Sequence, residues 1–165
     1  MKGEEHHCED AAPVPYMERT RAYYAAQGFP HPYVWAHFDE VPFARLTRPL
    51  AESKLAIITT ASLYDRTFAD VREVASGPTD DPPQRLYGND LEWDRNATHL
   101  DDVNSFFPLG YLEALVEMGR IGGITARFHC APTEYSQRRT RTVDAPEILR
   151  RCREDGAAAA MLVPW

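Results

Sequence analysis

Apolar and polar residues alternate most clearly between positions 122 and 129. The apolar positions of this stretch are Ile124, Ala126 and Phe128, and polar residues stand between them. This two-residue period is typical of a β-strand. Pro132 ends the pattern, because proline has no N–H group to donate to a strand ladder. The sequence therefore predicts a strand over 122–129, followed by a polar segment at its exit.

Two continuous apolar runs, at 55–60 and 157–163, predict two further strands. Apolar residues on both faces are typical of interior strands in parallel sheets. A weaker pattern predicts a fourth strand over 85–93. Residues 65–84 carry turn-forming pairs such as Gly77-Pro78, so we expect an exposed excursion near the sheet edge, in which 68–74 forms a helical turn or an edge strand.

Helical spacing of apolar residues predicts three helices. The first covers 16–27 and ends at Gly28, which suits the left-handed position after a helix. The second begins at Pro108, since proline is favoured at the first helical position. The third covers 145–155, with Asp144 and Glu147 in the spacing of an N-terminal capping box.

From Lys54 onward, strands and helices alternate along the chain. This order favours right-handed crossovers and a mostly parallel sheet. We therefore predict an α/β fold, an open, mostly parallel sheet with flanking helices in Rossmann-like or flavodoxin-like layering, either complete or cut short at its C-terminus. A single domain is expected over 16–165, after a disordered acidic lead at 1–15. The aromatic-rich segment 29–50 either covers the sheet or forms a subunit interface.

Composition excludes several classes of protein. The net charge of −7 argues against broad nucleic-acid binding, which needs cationic surface. No apolar run approaches the length of about 20 residues that a membrane span needs, and the N-terminus has no signal-peptide core. Neither a dinucleotide-binding glycine motif nor a phosphate-binding loop follows a predicted strand. The expected location is the cytoplasm, with no nucleic-acid or membrane partner.

The candidate chemistry lies where the predicted strands end. Because parallel strands have their exits at one edge, several polar segments should converge there: Thr59-Thr60, the loop with His99, Asp101 and Asp102, the pair His129-Cys130, and Trp165. His99 with Asp101 or Asp102 either forms an acid–base pair or satisfies loop amides. The two threonines either bind an anion or cap the turn.

The three cysteines do not form a disulfide framework, because their number is odd and small. Cys152 lies in a helical pattern and is expected to be a buried, inert thiol. Cys8 belongs to a tail with His6 and His7 that is either a metal ligand set or disordered. Cys130 could be a nucleophile beside His129, but neighbouring strand residues face opposite ways. No paired-ligand spacing supports a zinc site of His99, His129 and Cys130, so no metal is predicted.

A long, ordered set of short motifs runs from Tyr16 to Trp165. They are residues 16–24, 35–39, 42–43, 48–53, 59–61, 94–95, 98, 101, 106–109, 127–129, 131–133, 136–138, 147–148 and 152–156. In this set the chain resembles the selenoprotein B family of the glycine, sarcosine, betaine and D-proline reductases. The resemblance implies reductive cleavage of a carbon–nitrogen bond in a small amino-acid-like substrate. It also implies a thiol reductant and a partner subunit with a pyruvoyl group. A selenolate or thiolate attacks the substrate.

Together, the family resemblance and the shared strand exit nominate His99, Asp101 and His129 as catalytic residues. Arg127 would bind the substrate carboxylate, with Thr59, Thr60 and Thr133 as further substrate-binding residues. The family's selenocysteine or cysteine lies just after the strand that here ends in 161–165, and this sequence has no such segment.

We therefore expect a reading frame stopped early at a UGA codon, which encodes selenocysteine in selenoproteins. No cofactor is expected in the chain itself. The alternatives are a binding subunit without the nucleophile, or a hydrolase or lyase that uses His99, His129 and Asp101.

Overall fold

The computed structural model describes residues 14–31, 34, 36–65, 72–88, 100–133 and 136–164. Contacts divide the chain into two units, with the boundary between Val41 and Pro42. The first unit contains helix α1, Tyr16–Ala26, whose residues are all exposed. Gly28 follows it at φ +88°, which confirms the predicted left-handed helix end. The extent of a single domain, predicted as 16–165, stays a prediction.

The second unit is built on one open sheet, which confirms the predicted α/β fold. Its strands are β1 (Lys54–Thr59), β2 (Ala75–Pro78), β3 (Gly123–Ile124), β4 (Arg127–Cys130) and β5 (Ala157–Val163). Strand β1 pairs in parallel with β3 and β4 on one edge and with β5 on the other. Strand β2 pairs antiparallel with β4. The sheet is therefore mostly parallel, and β1 is its central strand.

The strand predicted over 122–129 is present as two pieces, β3 and β4, beside β1. The break falls at Thr125, whose hydroxyl donates to the Arg127 carbonyl at 2.8 Å while its amide still donates to Leu55. Threonine side chains compete in this way for backbone groups that would otherwise extend a ladder. The prediction of one uninterrupted strand was therefore wrong.

The predicted excursion at 65–84 also contains regular structure. Gly77 and Pro78 belong to β2 rather than to a turn, and Pro78 is the last residue of that strand. A proline is tolerated there because the strand ends at it. Of the strand predicted over 85–93, the described part shows one bridge, between Ser62 and Tyr87, and the remainder from 89 lies outside the described residues.

Helices cover both faces of the sheet and produce two core clusters. Helix α2, Leu109–Glu117, packs on the face that presents Leu55, Ile57 and Phe128. Helix α4, Ala145–Glu154, packs on the opposite face through Ile148 and Cys152. Residues alternate between the faces along β1, so every second side chain of this buried strand reaches each helix. Both helices were predicted, and none of the described helices is long and apolar enough to cross a membrane.

Helix α4 is the last part of a longer helical segment. It is preceded by a turn of α-helix, α3 (Gln137–Arg139), and by a π-helical segment, Thr140–Asp144. The Ser136 hydroxyl caps the segment by accepting from the Arg139 amide at 3.2 Å. Asp144 has helical dihedral angles and makes no capping hydrogen bond. The capping box predicted at Asp144 and Glu147 was therefore wrong, because the helical backbone already begins at Gln137.

Strand β5 is present where the apolar run at 157–163 predicted a strand, but it is not interior. In the part of the chain that the structure describes, β5 pairs with β1 alone. Leu162 is 72% exposed, and Met161 is also exposed. An apolar sequence on its own does not distinguish a strand buried on both faces from an apolar edge strand.

Candidate functional site

Three strand exits meet at one edge of the sheet, as the sequence predicted. Thr59 is in register with both Cys130 of β4 and Val163 of β5. The pairing continues one step further, because the Ala131 amide donates to the Thr59 carbonyl at 2.8 Å and the Thr60 amide to the Val163 carbonyl at 3.4 Å. We call this edge the rim.

The predicted substrate-binding threonines differ in their accessibility. Thr59 is fully buried on the α2 face, and its hydroxyl accepts from the Ala61 amide at 3.2 Å. It therefore stabilises the turn after β1. Thr60 and Thr133 are partly buried, and the Thr133 carbonyl accepts from the Arg72 guanidinium at 2.5 Å. At the rim, Thr60 and Thr133 thus remain the more accessible of the three.

Of the predicted pair of His99 and Asp101, the structure describes only Asp101. Asp101 is exposed, just before the short 3₁₀ turn at Val103–Ser105, while His99 lies outside the described residues. Cys8 and Trp165 also lie outside them. The acid–base pair therefore stays a prediction.

His129 and Arg127 share the α4 face of β4, whereas Cys130 belongs to the core on the α2 face. The prediction that His129 and Cys130 face opposite ways is confirmed. The His129 ring is fully buried, and its Nδ1 lies 2.8 Å from the Ser76 hydroxyl on β2. Its Nε2 makes no hydrogen bond and lies 3.6 Å from the Asp155 carboxylate. The described residues contain no cluster of three potential metal ligands.

Ser76 determines which ring nitrogen of His129 carries the proton. The Arg151 guanidinium donates to the Ser76 oxygen at 2.8 Å, and arginine can only donate. The Ser76 O–H is then directed to Nδ1 of His129, which places the ring proton on Nε2, facing Asp155. Burial lowers the pKa of His129; Asp155 opposes this shift, while Arg127 and Arg151 reinforce it. The ring is therefore neutral at pH 7.

Arg127 is bound by a carboxylate of its own chain. Its Nε donates to Asp155 Oδ2 at 3.1 Å and its Nη2 to Oδ1 at 2.8 Å, in the two-pronged arrangement that suits a guanidinium. This pairing raises the pKa of Arg127. A substrate carboxylate at Arg127, as the sequence suggested, would have to share the guanidinium with Asp155.

A cavity of about 440 Å³ opens beside these groups, on the α4 face of the sheet. Its lining includes Ser76, Glu73 and three arginines, Arg127, Arg150 and Arg151. Because His129 is fully buried, the Ser76 hydroxyl lies between its Nδ1 and the cavity. A proton that moves between the cavity and Nδ1 of His129 would therefore pass through Ser76.

The sequence did not nominate Ser76, Arg151 or Asp155. Ser76 precedes Gly77-Pro78, a pair typical of turns, so the sequence did not indicate the short strand β2 there. The position of Ser76 beside His129 follows from the antiparallel register of β2 and β4. Arg151 and Asp155 lie in the helix predicted over 145–155, and no role in the site was predicted for them. A polar helix face opposite a buried histidine was the one signal that could have found them.

Comparisons of the chain with protein-family models, with curated proteins and with solved structures found no match.

Proposed function

We propose that this chain is the B-type subunit of an amino-acid reductase similar to the selenoprotein B family. It would act in the reductive cleavage of a carbon–nitrogen bond in glycine, sarcosine, betaine or a D-proline-like substrate. The ordered motifs of the sequence support this proposal. The observation that carries it is the parallel pairing of β5 with β1, which brings Val163 level with Thr59 at the rim. The resemblance places the family's nucleophile just after this strand.

Neither described cysteine suits the role of the attacking group. Cys130 is 3% exposed and Cys152 is 7% exposed. Burial also raises the pKa of Cys152, which disfavours its thiolate. The proposal therefore assigns the nucleophile to a segment following β5, as the resemblance does, and not to either core thiol.

In this proposal the residues of the chain bind and orient the substrate at the rim. Thr60 and Thr133 are the accessible hydroxyl groups beside the exits of β1 and β4. A selenolate or thiolate supplies nucleophilic attack on the substrate carbon, and a dithiol reductant supplies the two electrons. A pyruvoyl group on a partner subunit would activate amine substrates.

The test uses the cell that carries the gene, with and without a deletion of it. Extracts are given each of the four substrates with a dithiol, and the products ammonia, methylamine, trimethylamine and the opened proline ring are measured. We expect one dithiol-dependent activity to disappear in the deletion strain and to return with the natural gene. Unchanged activity on all four substrates would overturn the proposal.

A non-catalytic binding subunit is the second candidate, and the burial of both described thiols favours it. It predicts saturable binding of a substrate by the purified chain without turnover. A hydrolase or lyase would instead show turnover that persists without any reductant.

A further inference from the structure

We propose that the cavity beside Ser76 binds a small oxyanion, a carboxylate or a phosphate group, and that binding is coupled to uptake of one proton by His129. The site lies on the α4 face of the sheet, between β2, β4 and α4, and not at the rim. It is therefore separate from the proposed reductase site.

The side chains that line the cavity carry more positive than negative charge, although carboxylates just outside the lining pair with its arginines. Three guanidinium groups and one carboxylate, Glu73, line it. The carboxylates that pair with these arginines, Glu147, Glu154 and Asp155, are not part of the lining. Arg127 Nη1 and Arg151 Nη2 make no hydrogen bond with a described residue. Guanidinium N–H groups match the oxygens of an oxyanion.

Arg151 is the best-placed ligand. Its Nε donates to Glu147 at 2.7 Å and its Nη1 to Ser76 at 2.8 Å. Its Nη2 makes no hydrogen bond with any residue that the structure describes. The two bonds fix the plane of the guanidinium, so an anion can be bound with little loss of side-chain freedom.

Ser76 provides the coupling to protonation. While His129 is neutral, the Ser76 O–H is directed to Nδ1. The serine then offers the cavity a lone pair of its oxygen and no hydrogen, and a lone pair repels an anion. A proton added at Nδ1 reverses this bond, because the imidazolium N–H donates to the Ser76 oxygen. The serine O–H is then released to donate to an anion in the cavity. No covalent bond is formed or broken, and the proton comes from solvent.

When no anion is present, the surroundings of His129 favour the neutral ring. The groups facing it are Ser76 on β2, Arg127 on β4, and Glu147, Arg151 and Asp155 on or next to α4. The effects of the two arginines and the two carboxylates on the pKa of His129 oppose each other, and burial favours the neutral ring. A bound anion adds a negative charge on the other side of Ser76, and protonated Nε2 already has Asp155 at 3.6 Å.

The experiment is titration calorimetry of the full chain with sodium acetate and, separately, sodium sulfate, at constant ionic strength set with chloride. Acetate represents a carboxylate and sulfate a phosphate group, and neither changes its charge between pH 6 and 8. We expect saturable binding of at least one probe. For uptake of one full proton, the Kd should fall by up to about tenfold for each unit by which the pH is lowered between the pKa of His129 in the complex and its lower pKa in the free chain. Two buffers of different ionisation enthalpy give the number of protons taken up.

Matched variants separate the site from general charge attraction. Arg151→Gln should weaken binding at least tenfold. Arg153→Gln removes the same charge from an exposed position on the same helix, outside the cavity lining, and should leave binding unchanged. Ser76→Ala should abolish proton uptake, and Ser76→Thr, which keeps the hydroxyl, should restore it. Circular dichroism checks the fold of each variant.

Several results would overturn the inference. If neither acetate nor sulfate bound saturably at pH 6, the proposed anion site would be refuted. If Arg151→Gln and Arg153→Gln weakened anion binding equally, the binding would be general charge attraction and not binding at this site. Binding without proton uptake in the unmodified chain would refute the role of Ser76 and His129.

Discussion

Replacing Arg127 with methionine tests whether the Arg127–Asp155 pair organises the polar cluster under α4. Methionine keeps an unbranched, apolar side chain, although a shorter one, and removes the charge and the N–H donors. Asp155, whose side chain is only 10% exposed, would lose all its hydrogen bonds from Arg127. His129 would remain beside it, with Nε2 at 3.6 Å from the carboxylate.

The magnitude follows from the burial of the two partners. Breaking a fully buried ion pair costs about 3–5 kcal/mol, and an exposed pair contributes about 0–1 kcal/mol. Arg127 is 39% exposed, so the pair lies between these limits. We expect the free energy of unfolding to fall by about 2 kcal/mol. Since urea slopes are about 1–3 kcal/mol per molar, the midpoint should fall by about 1 M.

The assay is urea unfolding at pH 7, followed by circular dichroism. Arg153→Met is the control, because Arg153 is exposed and makes no ion pair with any other described residue; it should change stability by less than about 0.5 kcal/mol. The double variant Arg127→Met with Asp155→Asn should recover part of the loss, and the coupling in the cycle should exceed about 1 kcal/mol. Equal effects of Arg127→Met and Arg153→Met, or additive effects in the cycle, would refute the reasoning.

Three further predictions concern the buried histidine, a glycine and the thiols. Because the pKa of His129 is lowered on folding, the unfolded chain binds more protons, so unfolding free energy should fall as the pH drops from about 6.5 towards the lowered pKa. Urea titrations should show a smaller fall for His129→Gln. Gly122→Ala should cost more than about 2 kcal/mol, since its Cβ would lie 2.6 Å from the Ser53 amide nitrogen. Gly110→Ala, with its nearest atom at 3.8 Å, should be neutral or stabilising in the same assay. In a Cys8→Ser chain, Cys130 and Cys152 should react with iodoacetamide only after unfolding, as mass spectrometry would show; rapid labelling of the native chain would contradict their burial.

The elements that the sequence predicted well are those with a strong local pattern. Strand β1 is a continuous apolar run, and α2 and α4 have apolar residues at helical spacing followed by glycine. Their order along the chain was sufficient to predict a mostly parallel sheet, and hence the meeting of the exits of β1, β4 and β5.

The polar cluster could not be predicted in the same way. Ser76 and His129 are far apart in sequence, and they meet only because β2 runs antiparallel to β4 in one particular register. Asp155 reaches Arg127 because α4 crosses over that face of the sheet. Such pairings depend on tertiary packing, so no local pattern encodes them. The sequence nominated Arg127 as a substrate-binding residue and His129 as a catalytic residue. In the structure a carboxylate is hydrogen-bonded to Arg127 and a serine to His129.

The π-helical segment has a consequence for how β2 is held. The Ala145 amide donates to the Thr140 carbonyl, so this part of the helix contains one residue more than an α-helix would have. Each residue turns an α-helix by about 100°, and the extra residue therefore sets the direction in which Arg139 points. From there its Nη2 donates to the Arg72 carbonyl at 2.8 Å, a few residues before Ser76. Deleting Thr142 would rewind the segment as ordinary α-helix and swing Arg139 away. The extra residue in the π-helical segment thus lets Arg139 hold the segment just before β2, the strand that contains Ser76.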